Sequence, residues 1–344
     1  MNNSKIRLPA EWEPQSGILL AWPYSESDWN DNLDEITDVY IEMCKIISQY
    51  EKILVICFDQ QHEETINSLL VKNGIEENSF QLIICKTNDT WCRDYGPITV
   101  HINSKLQLNN FVFNGWGNKY QSNLDNAVSR FLYDEGLFGS NEMLDRDFIL
   151  EGGSIEPDGQ GAILTTSHCL LKRHPEKSRA DIEGLLKKTL GITTVLWLDH
   201  GSISGDDTDN HIDNLARFAN EHTIIYSACD NKQHPDYASL HKMDQELKSL
   251  RQPDGKEYNL VPLQLPELKN QDGKILPASY VNFLIINQAV LVPIFDDPQD
   301  KISLDKLQQS FTDRNIIGIN SNALIKQLGG IHCASMQFPS GVLE

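Results

Sequence analysis

Near the end of the chain, Leu328-Gly-Gly-Ile-His-Cys333 sets a cysteine among small residues. Glycines beside a thiol permit tight backbone geometry and close approach of a ligand, so Cys333 is the leading candidate nucleophile. The competing reading is an inert buried thiol, the commoner fate of a single cysteine. A second stretch, Gly205-Asp-Asp-Thr-Asp-Asn-His-Ile-Asp213, crowds four aspartates and a histidine together, and such a cluster calls for a cation to answer it. If the backbone there is extended, His211 and Asp213 share a face, which suits an acid/base imidazole beside a carboxylate that grips a cationic substrate. Asp207 or Asp209 acting as a helix cap, or a calcium loop, is the alternative. The closing Glu of a helix-hand calcium loop is missing, and His200 makes no zinc spacing with His211, so no metal is expected.

Two further acids stand where loops present groups from a scaffold. Asn88-Asp-Thr-Trp-Cys-Arg-Asp-Tyr-Gly-Pro97 places Trp91, Arg93 and Asp94 after an apolar run. An extended backbone would turn Asp94 toward a pocket and Arg93 into the structure, with a local Arg93–Asp94 ion pair as the bland alternative. Leu150-Glu-Gly-Gly-Ser sets Glu151 before two glycines, where missing side chains bare its carboxylate, and Asp158-Gly159 reads as a hairpin turn. Trp116, within Asn114-Gly-Trp-Gly117, offers an aromatic wall to a substrate or a packing group to the core.

The elements that must position these residues alternate. Apolar β-branched runs at 17–22, 52–58, 80–85, 106–113, 161–165, 194–198, 223–227, 260–265, 283–293 and 316–319 read as strands. Helical spacing covers 36–47, 61–73, 126–135, 177–190, 237–250 and 303–311, so the class is α/β. No Pro/Gly/Ser-rich linker divides residues 1–344, and the longest loop-like stretch is 251–259, so one continuous domain is expected. Strand–helix–strand spacing recurs without a clear sequence repeat.

Bulk properties narrow the class of partner. A net charge of −20 repels nucleic-acid backbones and attracts cations, although it also serves plain solubility. Met1-Asn-Asn-Ser-Lys-Ile-Arg lacks the apolar stretch of a secretory signal, and no run reaches membrane-spanning length, so a cytoplasmic protein with no membrane partner is expected. Seven cysteines without a C-x-x-C pair suggest neither disulfide framework nor zinc cluster.

Taken in order, Trp91-x-Arg-Asp94-x-Gly-Pro97, Asn114-Gly-Trp-Gly117, Glu151-Gly-Gly153, Asp207-Thr-Asp-Asn-His211-x-Asp213 and Gly329-Gly-Ile-His-Cys333 resemble the agmatine deiminase and bacterial-type peptidylarginine deiminase family. Leu8-Pro-Ala-Glu-Trp-Glu-Pro14 and Ala21-Trp-Pro23 are similar to that family's opening, so the resemblance spans nearly the whole chain. It implies a pentein fold: a five-bladed α/β propeller with pseudo-fivefold strand–helix repeats around a central active-site channel. It implies covalent amidino transfer to Cys333, acid/base work by His211, orientation of His211 by Glu151, and a grip on the guanidinium by Asp94 and Asp213. Trp91, Trp116 and Asp207 become candidate substrate contacts, and no cofactor is implied. Homo-oligomer formation stays open. Two positions depart from the agmatine-specific pattern: Asp209-Asn210 stands where Asn-Gly is more usual, and Lys172-Arg-His-Pro175 where Asn-Arg-Asn-Pro is common. Agmatine is the expected substrate. Arginine or peptidylarginine deimination, and a non-catalytic binder of cationic metabolites, are the alternatives.

Overall fold

The computed structural model describes residues 5–103 and 105–343. Met1–Ser4, on which the reading of the N-terminus rests, lie outside the described residues. Its strands form five mixed sheets, two of four strands and three of three. One unit recurs in all of them: an antiparallel strand pair, then a helix, then a strand returning parallel to the second member of the pair. It runs Ile98–Ile102, Lys105–Val112, helix Asp125–Asp134, Glu142–Ile149. It recurs as Ile155–Pro157, Ala162–Thr166, helix Arg179–Leu190, Thr194–Leu198. Ala216–Asn220, Thr223–Ala228, helix Tyr237–Ser249 and Asn259–Gln264 repeat it, as do Leu284–Ile286, Ala289–Ile294, helix Gln299–Ser310 and Asn315–Asn320. The last unit joins the chain's ends: Ser335–Pro339 pairs antiparallel with Gln15–Ala21, helix Leu33–Ile47 follows, and Lys52–Cys57 and Phe80–Ile84 add in parallel.

Local chemistry explains the returns. Helix Arg179–Leu190 opens on a capping box in which Ser178 and Asp181 satisfy each other's backbone N–H, and it stops at Gly191 in the left-handed region. Helix Leu33–Ile47 buries Ile36, Tyr40, Met43, Cys44 and Ile47, at helical spacing, against the sheet beneath it. Central strands Lys52–Cys57 and Ala289–Ile294 are buried on both faces over nearly their whole length, which is why they read as continuous apolar runs.

Several expectations need correction. The run 283–293 is a hairpin, not one strand: the chain turns at Asn287-Gln288, with Gln288 at φ 64°, and both arms are too buried to show the break as polarity. Strands Ile98–Ile102, Glu142–Ile149, Ala216–Asn220 and Ser335–Pro339 lay unread. The longest irregular stretch is 265–283 rather than 251–259, and it carries buried Tyr280, Val281 and Asn282. Cys92–Tyr95 is a helical turn, not extended backbone. No helix among the described residues is long and apolar enough to cross a membrane.

Candidate active site

The sequence-distant candidates meet around one glycine. A Cβ built on Gly153 would lie 2.7 Å from His211 Nδ1, 2.9 Å from Asp94 Oδ1 and 3.0 Å from Asp213 Oδ2. The two glycines after Glu151 therefore do more than bare that carboxylate: the volume a side chain would fill is taken by three polar groups. Gly153 N–H donates to Asp94 Oδ1 at 2.9 Å, and the Trp116 indole donates to Asp94 Oδ2 at 2.9 Å. The helical turn at Cys92–Tyr95, rather than strand alternation, sends Asp94 inward and Arg93 away. Arg93 does not pair with Asp94; it bonds the His332 carbonyl and the Gln337 side chain.

Cys333 lies on the loop before strand Ser335–Pro339. Its Sγ is 3.5 Å from Asp213 Oδ2 and receives the Asn282 amide at 3.1 Å, while Asn282 Oδ1 accepts from the Cys333 and His332 N–H groups. His211 Nε2 is 2.7 Å from Glu151 Oε2, and its Nδ1 lies 3.7 Å from Asp94 Oδ1 without a hydrogen bond. His211 precedes the 3-10 turn Ile212–Asn214 and Asp213 lies within it, so a turn replaces the extended backbone on which their shared face was conditional, and it still brings both to Gly153.

Around this centre sit buried counter-charges. Arg173 binds Glu151 Oε1 and Asp209 Oδ2, each at 2.6 Å. His332 bridges Asp213 Oδ2 at 2.8 Å and Glu11 Oε2 at 2.9 Å, and Arg217 ties Glu11 to Glu156. The cations that answer the aspartate cluster are thus the protein's own: Lys119, Lys172 and Arg173 all reach Asp209. Asp206 accepts from the Thr208 and Asn210 N–H groups and so folds the loop, while the 3-10 turn that follows opens on His211 with no side-chain cap. The two departures from the agmatine-specific pattern, Asp209 and Lys172, are partners in one ion pair.

Electrostatics separates the groups. Burial, then the Asp213 and Asp94 carboxylates, raise the Cys333 thiol well above its ordinary range. Burial alone would depress the His211 imidazolium, but Asp94, Cys169 and Glu151 outweigh it and hold its pKa well above the usual value. Burial raises Asp94, with Glu151 and Asp213 adding to it. Asp213 is lowered, because the His332 contact overcomes the burial penalty. In the substrate-free site these surroundings favour the thiol form of Cys333 and the imidazolium form of His211.

Cys333 ends a cavity whose walls include Trp91, Trp116, Tyr120 and Leu328, and whose mouth carries Asp28, Asp89 and Asp207. Asp207 Oδ2 accepts from the Tyr120 hydroxyl at 2.8 Å. Trp91 packs against the chain at Gly329, where a Cβ would lie 2.3 Å from its ring. Glu151, Cys169 and His211 place one ligand atom each within 4.8 Å of one another, a set that could hold a metal by donor type alone. Arg173, already bonded to the same carboxylate, opposes a second cation there.

Asn282, Arg173, His332, Glu11 and Cys169 were not among the expected site residues. Three of them sit inside or beside noted motifs: Arg173 in Lys172–Pro175, His332 next to Cys333, and Glu11 in Leu8–Pro14. Asn282, on an irregular stretch, gave no signal.

A buried thiol, an imidazole and converging carboxylates at the foot of one cavity, on five mixed α/β sheets, define a thiol enzyme. The chain belongs to the Porphyromonas-type peptidyl-arginine deiminase family, whose family model matches residues 7–339. The agmatine deiminase of Ectopseudomonas mendocina is 29% identical to it over 97% of this chain and 96% of that one. A Campylobacter jejuni agmatine deiminase, solved as a cysteine-to-serine variant with substrate bound, is 37% identical, with a TM-score of 0.92 over 99% of this chain and 98% of the other. A Porphyromonas gingivalis structure provisionally described as an arginine deiminase is 40% identical, with a TM-score of 0.93 over 99% and 100%.

Proposed function

We propose that this chain hydrolyses agmatine to N-carbamoylputrescine and ammonia. The observation that carries the choice of substrate is the charge of the cavity: Asp94 and Asp213 at its foot, Asp28, Asp89 and Asp207 at its mouth, and no Lys or Arg lining it among the described residues. An arginine substrate would want a cation for its carboxylate. Arg217 is fully buried in its pairs with Glu11 and Glu156, and Arg93 is 3% exposed and turned toward His332 and Gln337. Lys119 is spent on Asp209 and the Asp207 carbonyl.

In this reading the guanidinium sits between Asp94 and Asp213. Its positive charge offsets the two carboxylates that keep the thiol protonated, so Cys333 releases its proton to solvent and attacks the central guanidinium carbon. The imidazolium of His211, held by Glu151, protonates the departing nitrogen as the C–N bond breaks and ammonia leaves. Neutral His211 then takes a proton from water; the water oxygen bonds to the carbon, the C–S bond breaks, and a ureido product leaves. Trp91 and Trp116 flank the tail.

The five sheets are read as blades of a propeller closed by the pairing of Ser335–Pro339 with Gln15–Ala21, in one domain with the cavity on its axis. Seven cysteines, all free, suit a reducing cytoplasm. The test is to incubate the purified protein with agmatine, arginine and an arginyl peptide, measuring ureido product and ammonia for wild type and Cys333→Ser. Turnover of agmatine that vanishes in the serine variant and survives a chelator is expected. Preference for arginine, or no turnover at all, would sink the proposal.

A further inference from the structure

The mouth of the cavity holds three carboxylates, and they are not equivalent. Asp28 is exposed, on the outer rim. Asp207 Oδ2 accepts from the Tyr120 hydroxyl, and the Lys119 charge stands near it. Asp89 is half-buried and fixed at its backbone: its N–H donates to Asp125 Oδ1, its carbonyl accepts from the Tyr95 hydroxyl, and its Oδ1 accepts from the Thr90 N–H. Its Oδ2 takes part in no hydrogen bond, and no Lys or Arg pairs with it among the described residues. Burial, with Asp28 and Asp207 adding repulsion, pushes the Asp89 acid up to about 7. Such a carboxylate gains most from an incoming cation.

Asp89 also stands in the right cavity. The same space ends on Cys333, where His211 Nδ1 and Asp213 Oδ1, both fully buried, have no partner in the protein. A ligand whose guanidinium meets Asp213 Oδ1 beside Cys333 must run its tail past Trp91 and Trp116 toward the mouth, where Asp89 is anchored by three neighbours, keeps Oδ2 free to accept and pairs with no Lys or Arg among the described residues.

Resting on the deiminase reading above, we propose that Asp89 is the specificity-determining residue for the tail, receiving the terminal ammonium of an aminoalkyl guanidine through Oδ2. The Asp125 clamp holds it in place, and Asp28 and Asp207 draw cations to the mouth without gripping them.

The experiment compares agmatine with n-pentylguanidine, in which a methyl group replaces the ammonium, for wild type, Asp89→Asn, Asp207→Asn and Asp28→Asn. Asparagine at 89 keeps an oxygen for Thr90, and pentylguanidine turnover reports that the variant folds. Asp89→Asn should lower kcat/KM for agmatine by about 10- to 100-fold, mostly through KM, the worth of one charge-assisted hydrogen bond. The same change should leave pentylguanidine within about twofold, and the other two variants should discriminate less. Equal losses on both substrates, no loss on agmatine, or the tail-selective loss appearing in Asp207→Asn instead would overturn the assignment. Wild type that turns over neither compound would show the deiminase reading itself to be at fault.

Discussion

Adding one methyl group at Gly153 tests whether the site's geometry is what makes it work. Gly153 does not occupy a left-handed conformation, so alanine meets no backbone penalty and the effect is steric. The new Cβ would stand 2.7 Å from His211 Nδ1 and 2.9 Å from Asp94 Oδ1, so relief to ordinary contact moves one of them by about 0.7 Å in a close-packed interior. A misplacement approaching 1 Å costs about 10²-fold in rate, or about 2.7 kcal/mol of transition-state stabilisation. Gly152 is the control. A Cβ there would lie 2.2 Å from the Arg93 carbonyl oxygen, a backbone atom that cannot swing aside, and overpacking of that kind costs about 3 kcal/mol of stability. Gly153→Ala should therefore lose kcat out of proportion to its loss of stability, while Gly152→Ala should lose stability first. Steady-state ammonia release and chemical denaturation separate the two. Gly153→Ala with kcat within about threefold of wild type would refute the convergence argument.

Arg173→Gln strips the buried guanidinium from both Glu151 and Asp209 and should cost about 3–5 kcal/mol in urea denaturation. Lys172→Gln, whose side chain is 52% exposed, should cost under about 1 kcal/mol in the same measurement. Because the Cys333 thiol is raised, only the protonated form is populated at neutral pH; iodoacetamide labelling of substrate-free enzyme, read by mass spectrometry, should climb about tenfold per pH unit from 7 to 9. A plateau near pH 7 would show a preformed thiolate instead. His211→Asn should lower kcat by about 10²–10⁴ with KM changed only a few-fold, and a rise in KM matching the fall in kcat/KM would assign His211 to binding.

What could be read along the chain was whatever residue chemistry and local spacing carry. Trp91, Asp94, Glu151, His211, Asp213 and Cys333 stand in short segments rich in glycine or acid; Trp91, Asp94 and Cys333 line one cavity, Asp213 touches Cys333, and His211 lies near Asp94 and bonds Glu151. The local backbone was less legible: the facing of Asp94 and of His211 with Asp213 was argued on the condition of an extended backbone, whereas both segments form helical turns. Asn282 had no signal because its value lies in meeting Cys333, fifty-one positions away, from an irregular stretch. The fivefold repeat of strand pair, helix and strand was hidden for a different reason. Each copy needs only apolar residues at buried positions, and many side chains meet that demand, so the topology repeats while the letters do not.

The polar balance of the site explains why it can be both stable and reactive. Removing a partner from a buried charge is severe, so Glu151, Asp213, Glu11 and Glu156 each have a buried cation or imidazole beside them: Arg173, His332 and Arg217. The matching is incomplete: Asp213 Oδ1 and His211 Nδ1 have no partner in the protein at zero exposure. Each such atom costs about 1–3 kcal/mol. In the reading proposed above, Asp213 Oδ1 accepts a guanidinium N–H and His211 Nδ1 gives a proton to the leaving nitrogen, so that the unmet demand of the resting protein would be met by the substrate and by the departing group.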